Sequence, residues 1–382
     1  MKKIVHVFTV SMSVIFLEGL YEKLKSKGYE LIVICSDGEE VRHQERLGNV
    51  KYYPVNMSRG INPIKDLSAL IKIISILKKE KPLIVHGHTP KGGILAMMAA
   101  KLLKIKHRPY HLHGLKYPSE VGAKRLIIKW MEKMTISLST KVFAVSNSLK
   151  EFAIASGLGS NLKIMVLLNG SVKGIDIKDS EEIRKNKEQT AIRLGIKKNE
   201  VTIGFVGRIT EEKGIFELLK AYKRLIGSKQ NIGLILCGPT EIKNSQNSVV
   251  FDEIRELPNV QYFGQVHNPL EYMVCCDIFV LPSWREGFGL VNIEANSVGL
   301  PVITTDIVGC KDSIEDQKTG ILIESNNVCD LIDALELLIE DPALRKEMGQ
   351  NGIQRVRDLY DRNKIWNTLL EEYERMIKAV KA

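Results

Sequence analysis

Apolar residues fall along this chain in two alternating rhythms. Short continuous runs rich in Val and Ile, such as IVHVFTV, ELIVICS, PLIVHGH and KVFAVS, alternate with longer stretches whose apolar positions recur every three or four residues. The first kind predicts strands buried on both faces, the second amphipathic helices. In the first half the order is strand Ile4–Val10, helix Ser13–Lys27, strand ELIVICS, strand KYYPVNM, helix Pro63–Lys79 and strand PLIVHGH. Helix Gly92–Leu103, strand HRPYHLHG, helix Ala123–Leu138 and strand KVFAVS follow. A polar stretch, Lys178–Thr190, interrupts the series. It restarts with VTIGFVGR, GLILCG, VQYFG, DIFVLPS, LPVITT and TGILIE. This pattern predicts an α/β protein of two doubly wound, Rossmann-like domains, residues 1–175 and 200–361, with a linker near 176–200. A final helix, 362–382, follows the second domain and is expected to pack back on the first.

Open parallel sheets bind ligands at the carboxyl ends of their strands. Three loops there carry unusual residues. In GFVGRITEEKG, Gly207 ends a strand, Arg208 follows and Lys213 lies five residues on. A guanidinium fork and an ammonium point charge beside a strand end suit a diphosphate; an ordinary surface loop is the alternative. In SWREGFGLVNIEANSVGLPVI, Glu286 precedes Gly287, Phe288 and Gly289, and a helix starts near Leu290 with Glu294 one turn in. The two glycines leave backbone amides open to a ligand, and the helix start is an anion site. Glu286 can accept from sugar hydroxyls and Glu294 can hold the two vicinal hydroxyls of a ribose. The alternatives are a capping residue and a surface glutamate. Phosphate on amides with hydroxyls on carboxylates describes a nucleotide sugar. The third loop, HLHGLKYPSE, carries His111 and His113 at a strand end. With His86 and His88 they make two HxH pairs, the pattern from which a zinc site can be built. No thiol or carboxylate lies near enough in sequence to complete one, so no metal is expected. No Asp-x-Asp occurs anywhere, which argues against a metal-held diphosphate.

Composition changes this picture in three places. The chain of 382 residues is too long for one core and suits two domains. A formal net charge of +10 and a pI near 9.1 suggest an anionic partner or a solvated lysine-rich surface. Six cysteines without a CxxC read as reduced thiols in a cytosolic protein. The N-terminal MKKIVHVFTVSMSVIFL mimics a signal peptide. His6 interrupts it, however, and an amphipathic continuation through Glu18, Tyr21, Glu22 and Leu24 fits a buried strand and a helix better. No apolar run reaches the length of about 20 residues that a spanning helix needs.

The motif GFVGRITEEKG, the two glutamates of EGFGLVNIE with seven residues between them and the two-domain pattern resemble retaining glycosyltransferases of family 4. The resemblance covers nearly the whole chain. HGHTPKGGILA, HLHGLKY and AVSNSLKEF are most similar to its capsular-polysaccharide branch. The resemblance implies the GT-B fold, with the two domains facing a central cleft, an acceptor-binding first domain and a nucleotide-sugar-binding second one. It implies a hexosyltransferase that moves a sugar, with an N-acetylated 6-deoxyhexosamine such as N-acetylfucosamine as best match, from a UDP-sugar to an undecaprenyl-diphosphate-linked acceptor in capsule or O-antigen synthesis. It also implies that Arg208 and Lys213 hold the diphosphate, Glu294 the ribose and Glu286 the donor sugar, with His113 near that sugar. No cofactor is implied. The sequence departs from the family in the loop after the first strand, which reads TVSMSV instead of glycine-rich. Neutralising the leaving diphosphate lowers the barrier without a metal. A UDP-sugar epimerase or hydrolase of the same fold and a non-catalytic nucleotide-sugar-binding protein are the alternatives. A dehydrogenase fits poorly, since no GxGxxG follows the first strand.

Residues 101–133 carry nine cations (Lys101, Lys104, Lys106, Arg108, Lys116, Lys124, Arg125, Lys129, Lys133) against Glu120 and Glu132, with Leu126, Ile127, Ile128 and Trp130 interleaved. A basic helix with an exposed aromatic suits an anionic membrane surface, and a core-facing stripe with solvated lysines is the alternative. Nucleic acid is not expected, because no recognition module is present. The expected location is cytoplasmic, peripheral on the inner face of the plasma membrane.

Overall fold

A computed structural model describes residues 2–58, 60–197, 199–227, 231–240, 252 and 254–379. The chain forms two units, one of Met1–Lys173 with Arg362–Ala382, the other of Gly174–Asp361.

The first unit holds seven parallel strands: β1 Lys2–Val7, β2 Tyr29–Cys35, β3 Lys51–Pro54, β4 Ile84–His88, β5 Pro109–Leu112, β6 Lys141–Ala144 and β7 Ile164–Val166. Their order is β3-β2-β1-β4-β5-β6-β7, so the direction of winding reverses between β1 and β4. The register sets His6 beside His86 and His88 beside His111. Helix Pro63–Glu80 starts as its sequence dictates: Asn62 accepts from the Lys65 amide and Pro63 fills the first position. The expected helix Ser13–Lys27 is instead a 3-10 helix, Ser11–Leu17, and a short helix, Leu20–Ser26. Gly19, in the left-handed region at φ 75°, separates them, and a side chain there would meet Arg362 Cδ at 2.8 Å. Helices Glu39–Arg46 and Asn147–Ala155 and strand β7 are additional; each is too short for periodicity to declare it.

Among the described residues the second unit holds six parallel strands: β8 Val201–Val206, β9 Ile232–Cys237, β10 Val260–Gly264, β11 Ile278–Leu281, β12 Val302–Thr305 and β13 Gly320–Ile323. The order is β10-β9-β8-β11-β12-β13, which reverses between β8 and β11. The expected linker near 176–200 is not one. Its residues form helices Ile177–Lys185 and Lys187–Leu194, which belong to this unit. Asp176 caps the first by accepting from the Lys178 and Asp179 amides, at 3.1 and 3.2 Å. Ser180 is buried and pairs with Ser297 at 3.0 Å, and Ile183 joins the core. So few positions are buried that the polar remainder looked like a connector.

Helix Arg362–Lys378 returns to the first unit; residues 380–382 of the expected helix lie outside the described residues. Ile365, Trp366, Leu369, Leu370 and Tyr373 join the core formed by Ile4, Phe8, Val33 and Phe143. Trp366 donates Nε1–H to the Glu18 carbonyl at 2.9 Å. All six cysteines are free; five are buried and Cys329 is exposed. No helix among the described residues is long and apolar enough to cross a membrane.

Candidate functional site

Two loops at the carboxyl ends of β8 and β11 carry the cations and carboxylates of the second unit. After β8 the chain passes Gly207 and Arg208 and closes a 3-10 turn at Glu211–Lys213. After β11 it runs through Ser283–Gly289 into helix Leu290–Ser297. The loops are tied to each other. The Trp284 amide and the Ser283 hydroxyl both donate to the Glu212 carbonyl, at 2.9 and 3.0 Å. The Glu212 carboxylate accepts from Arg208 and from Arg285, each at 2.6 Å, and Lys213 pairs with Glu286. Burial works to raise the Glu212 carboxyl, but Arg285 and Arg208 outweigh it and hold it below its usual range. Arg208, Lys213 and Glu286 therefore meet in one charged cluster, with Glu212 and Arg285 as two further members. Sequence reading missed both; only the four-residue spacing of Arg208 and Glu212 hinted at the first.

Helix Leu290–Ser297 begins where its sequence predicts, with Gly289 in the left-handed region and no side-chain cap on its amides. Glu294 lies one turn in and is half-buried. The helix is pinned by polar groups on its inner side. Asn292 donates to Ser313 Oγ at 2.8 Å, and Asn296 donates to the Leu300 and Thr319 carbonyls at 3.0 Å. Behind the loop, Gly309 (φ 92°) is packed so closely that a Cβ would stand 2.6 Å from the Gly287 carbonyl carbon. Phe288, expected among the donor-binding residues, is 5% exposed and sets its ring against Tyr360 at 5.4 Å. Its buried ring anchors the turn.

His113 belongs to the first unit, where five of the eight histidines of the chain gather. His6, His86, His88, His111 and His113 stack across the neighbouring strands β1, β4 and β5. His6 Nδ1 meets His88 Nε2 at 2.9 Å, and His88 Nδ1 meets His113 Nε2 at 3.0 Å. Burial lowers every ring; His6 and His111 fall to about 3, and the other three lie well below 6.5. His113 is half-buried and stacks on Phe16. In place of a glycine-rich turn, the loop after β1 uses Thr9, whose hydroxyl meets that of Thr89 at 2.7 Å and accepts from the Gly92 amide at 3.1 Å. The loop is thereby tied to the start of helix Pro90–Leu102.

The basic segment resolves into helix Gly122–Leu138, entered from an exposed Val121. Leu126, Ile127 and Trp130 are 69%, 47% and 61% exposed, so the apolar stripe does not face a core. Lys124, Arg125 and Lys133 are exposed beside them, and Lys129 lies over the Tyr117 ring. Glu132 is buried and accepts from Tyr110 at 2.8 Å; burial pushes its carboxyl up to about 7. It subtracts less charge from this helix than its sequence suggests.

Over 377 residues the chain is 34% identical to the capsular polysaccharide biosynthesis glycosyltransferase CapM of Staphylococcus aureus, covering 99% of this chain and 98% of that one. The chain belongs to the group 1 glycosyltransferases. The family model "Glycosyl transferases group 1" matches residues 186–355 of this glycosyltransferase, spanning Arg208 through Glu294, and "Glycosyl transferase 4-like" matches residues 4–146. It is also 28% identical over 356 residues to the Escherichia coli UDP-Gal:alpha-D-GlcNAc-diphosphoundecaprenol alpha-1,3-galactosyltransferase, which covers 89% of this chain and 91% of the relative. Among solved structures it is similar to Anabaena HepE in complex with UDP-glucose, at TM-score 0.79 and 18% identity over 98% of this chain and 100% of that one. Its two Rossmann-like domains are those of the GT-B fold, and it is a polysaccharide-type glycosyltransferase of bacterial kind.

Proposed function

We propose that this glycosyltransferase moves a hexosyl group, with retention, from a UDP-sugar to an undecaprenyl-diphosphate-linked sugar at the inner surface of the cytoplasmic membrane, in capsule or O-antigen assembly. The observation that carries the reading is the cluster of Arg208, Lys213, Glu286 and Glu212 beside the uncapped start of helix Leu290–Ser297. A guanidinium has five donors and an ammonium three, so partnership with a carboxylate leaves each cation able to take phosphate oxygens as well. As the bond from sugar to diphosphate breaks, charge grows on the leaving oxygen. On this reading Arg208, Lys213 and the helix amides stabilise it. Glu294 is assigned to the ribose, Glu286 and His113 to the donor sugar, and the backbone of Gly287, Phe288, Gly289 and Leu290 to the diphosphate. Among the described residues no carboxylate stands out as a nucleophile, which favours front-side attack. The acceptor class follows the relatives, and a 6-deoxy N-acetylhexosamine such as N-acetylfucosamine is the donor sugar that the capsular resemblance supports. The exposed Trp130, Leu126 and Ile127 beside Lys124, Arg125 and Lys133 support membrane contact, where a polyprenyl acceptor resides.

Arg208→Ala and Lys213→Ala should each lower transfer by about two to three decades with the fold retained, since each removes one charge stabiliser from the transition state. Transfer assays over a panel of UDP-, GDP- and ADP-sugars, with and without a polyprenyl-diphosphate acceptor, measure this. Near-wild-type turnover in either variant refutes the assignment, and product formed without acceptor points to an epimerase or hydrolase. Activity should persist in EDTA, because the chain has no Asp-x-Asp and the two cations and the helix start perform a metal's electrostatic task. Complete loss that one divalent ion restores would overturn that account of the diphosphate site.

A further inference from the structure

The histidines of the first unit form a line with a direction. His86 Nδ1 meets the Tyr373 hydroxyl at 2.5 Å, and that hydroxyl meets His6 Nε2 at 3.3 Å. His6 Nδ1 then meets His88 Nε2, and His88 Nδ1 meets His113 Nε2. A neutral imidazole carries one N–H, so each ring in the line gives at one nitrogen and takes at the other. Only two hydrogen arrangements satisfy this. If the hydrogens point inward from His113, His86 ends with a buried Nε2–H that has nothing to donate to, because its Nε2 has no hydrogen-bond partner among the described residues. If they point outward, each ring is protonated at Nδ1. His86 then gives to Tyr373, Tyr373 to His6, His6 to His88 and His88 to His113, and the atom left over is an imine lone pair. Orphaned buried N–H groups are the rarer defect, so the outward direction is favoured.

We propose that this line fixes His113 as its Nδ1–H tautomer. On the glycosyltransferase reading above, His113 thereby offers a neutral donor to an oxygen of the bound sugar or phosphate. His88 is a positioning residue in this scheme: it holds the Nε2 side of His113 and leaves Nδ1 for the ligand. A metal ion fits the cluster less well, although His6, His86 and His88 bring one ring nitrogen each within 4.8 Å of one another. Two nitrogens on one tetrahedral zinc at about 2.0–2.1 Å stand roughly 3.3 Å apart, whereas 2.9 Å between His6 and His88 is a hydrogen bond. No carboxylate or thiolate in the group would offset the charge.

The test is long-range proton–nitrogen NMR on the whole chain labelled with nitrogen-15 histidine, without donor, with peaks assigned from single His→Gln variants. His113 is expected as the Nδ1–H tautomer at pH 7. An Nε2–H tautomer, an even mixture or an imidazolium overturns the proposal, as does a stoichiometric zinc ion in the purified protein. His88→Leu should let His113 populate both tautomers and lower kcat about ten- to a hundredfold, with the donor KM changed less than about threefold. His88→Asn, which keeps an N–H near the place of Nδ1, should recover most of the rate. Unchanged kcat in folded His88→Leu would also overturn the proposal. A wild-type protein with the expected tautomer that transfers no sugar from any UDP-sugar would refute the functional reading instead.

Discussion

Glu212 stands between two guanidiniums, and its position explains how a cationic site stays ordered before a ligand arrives. It accepts from Arg208 and Arg285 and so fixes both forks. Glu212→Ala should lower kcat/KM for the donor about tenfold by releasing Arg208, an effect of the size expected for one charge-assisted contact. Steady-state kinetics over donor concentration measures it, and an unchanged value would show that Arg208 is held by other groups. Gly309→Ala should be more damaging than its exchange of hydrogen for methyl suggests. The new Cβ would be strained by φ and would push on the Gly287 backbone, at a cost of about 1–3 kcal/mol in stability. Calorimetry should show UDP binding weakened along with the lowered melting temperature. That Arg208, Lys213 and Glu286 belong together was legible in the sequence, because glycines and a strand end punctuate them. Glu212 and Arg285 were not, since their partnership spans 73 residues and only the folded loops bring them together. Phe288 has a packing role that its loop did not announce: its ring lies against Tyr360, 72 residues further along the chain.

Among the elements, strands were read most faithfully, because parallel strands buried on both faces are continuous apolar runs. Helices with few buried positions were the failures. Ile177–Lys185 buries only Ser180 and Ile183, and its acidic and basic residues concealed it as a connector. Helix Gly122–Leu138 shows the reverse, a strong apolar signal whose first half faces outward. Reversing Lys124, Arg125, Lys129 and Lys133 to glutamate should abolish co-sedimentation with phosphatidylglycerol vesicles while leaving transfer to a short-chain soluble acceptor largely intact. Each cation near such a surface contributes about 1 kcal/mol, and binding should weaken steeply as salt rises. Wild-type sedimentation by the quadruple variant would place the membrane face elsewhere.

Across the whole molecule, the histidine cluster makes acid stability uneven. His6 and His111 titrate near 6.5 when unfolded and near 3 when folded, and the other three rings are lowered in the same direction. The native state favours the neutral rings. Their contribution is complete above pH 6.5 and is lost progressively as pH falls below it. All five belong to the first unit. Differential scanning calorimetry from pH 7.5 to 5 should show one transition falling steeply while the other moves little, and UDP should raise only the one that moves little. His6→Gln with His88→Gln should flatten the acid dependence, and a slope unchanged in that variant would assign it to other groups.

The return of helix Arg362–Lys378 to the first unit has a consequence for how the protein is made. The ribosome delivers the strands of that unit first, yet Trp366 and Tyr373, which close its core, emerge only after the second unit. At about 5–20 residues per second, synthesis of the intervening unit lasts roughly 10–40 s. For that interval the newborn chain carries an unroofed apolar face and a column of imidazoles open to water. Nascent chains stalled before residue 362 should therefore be captured by chaperones that bind exposed hydrophobic surface, and chains released with helix Arg362–Lys378 attached should not.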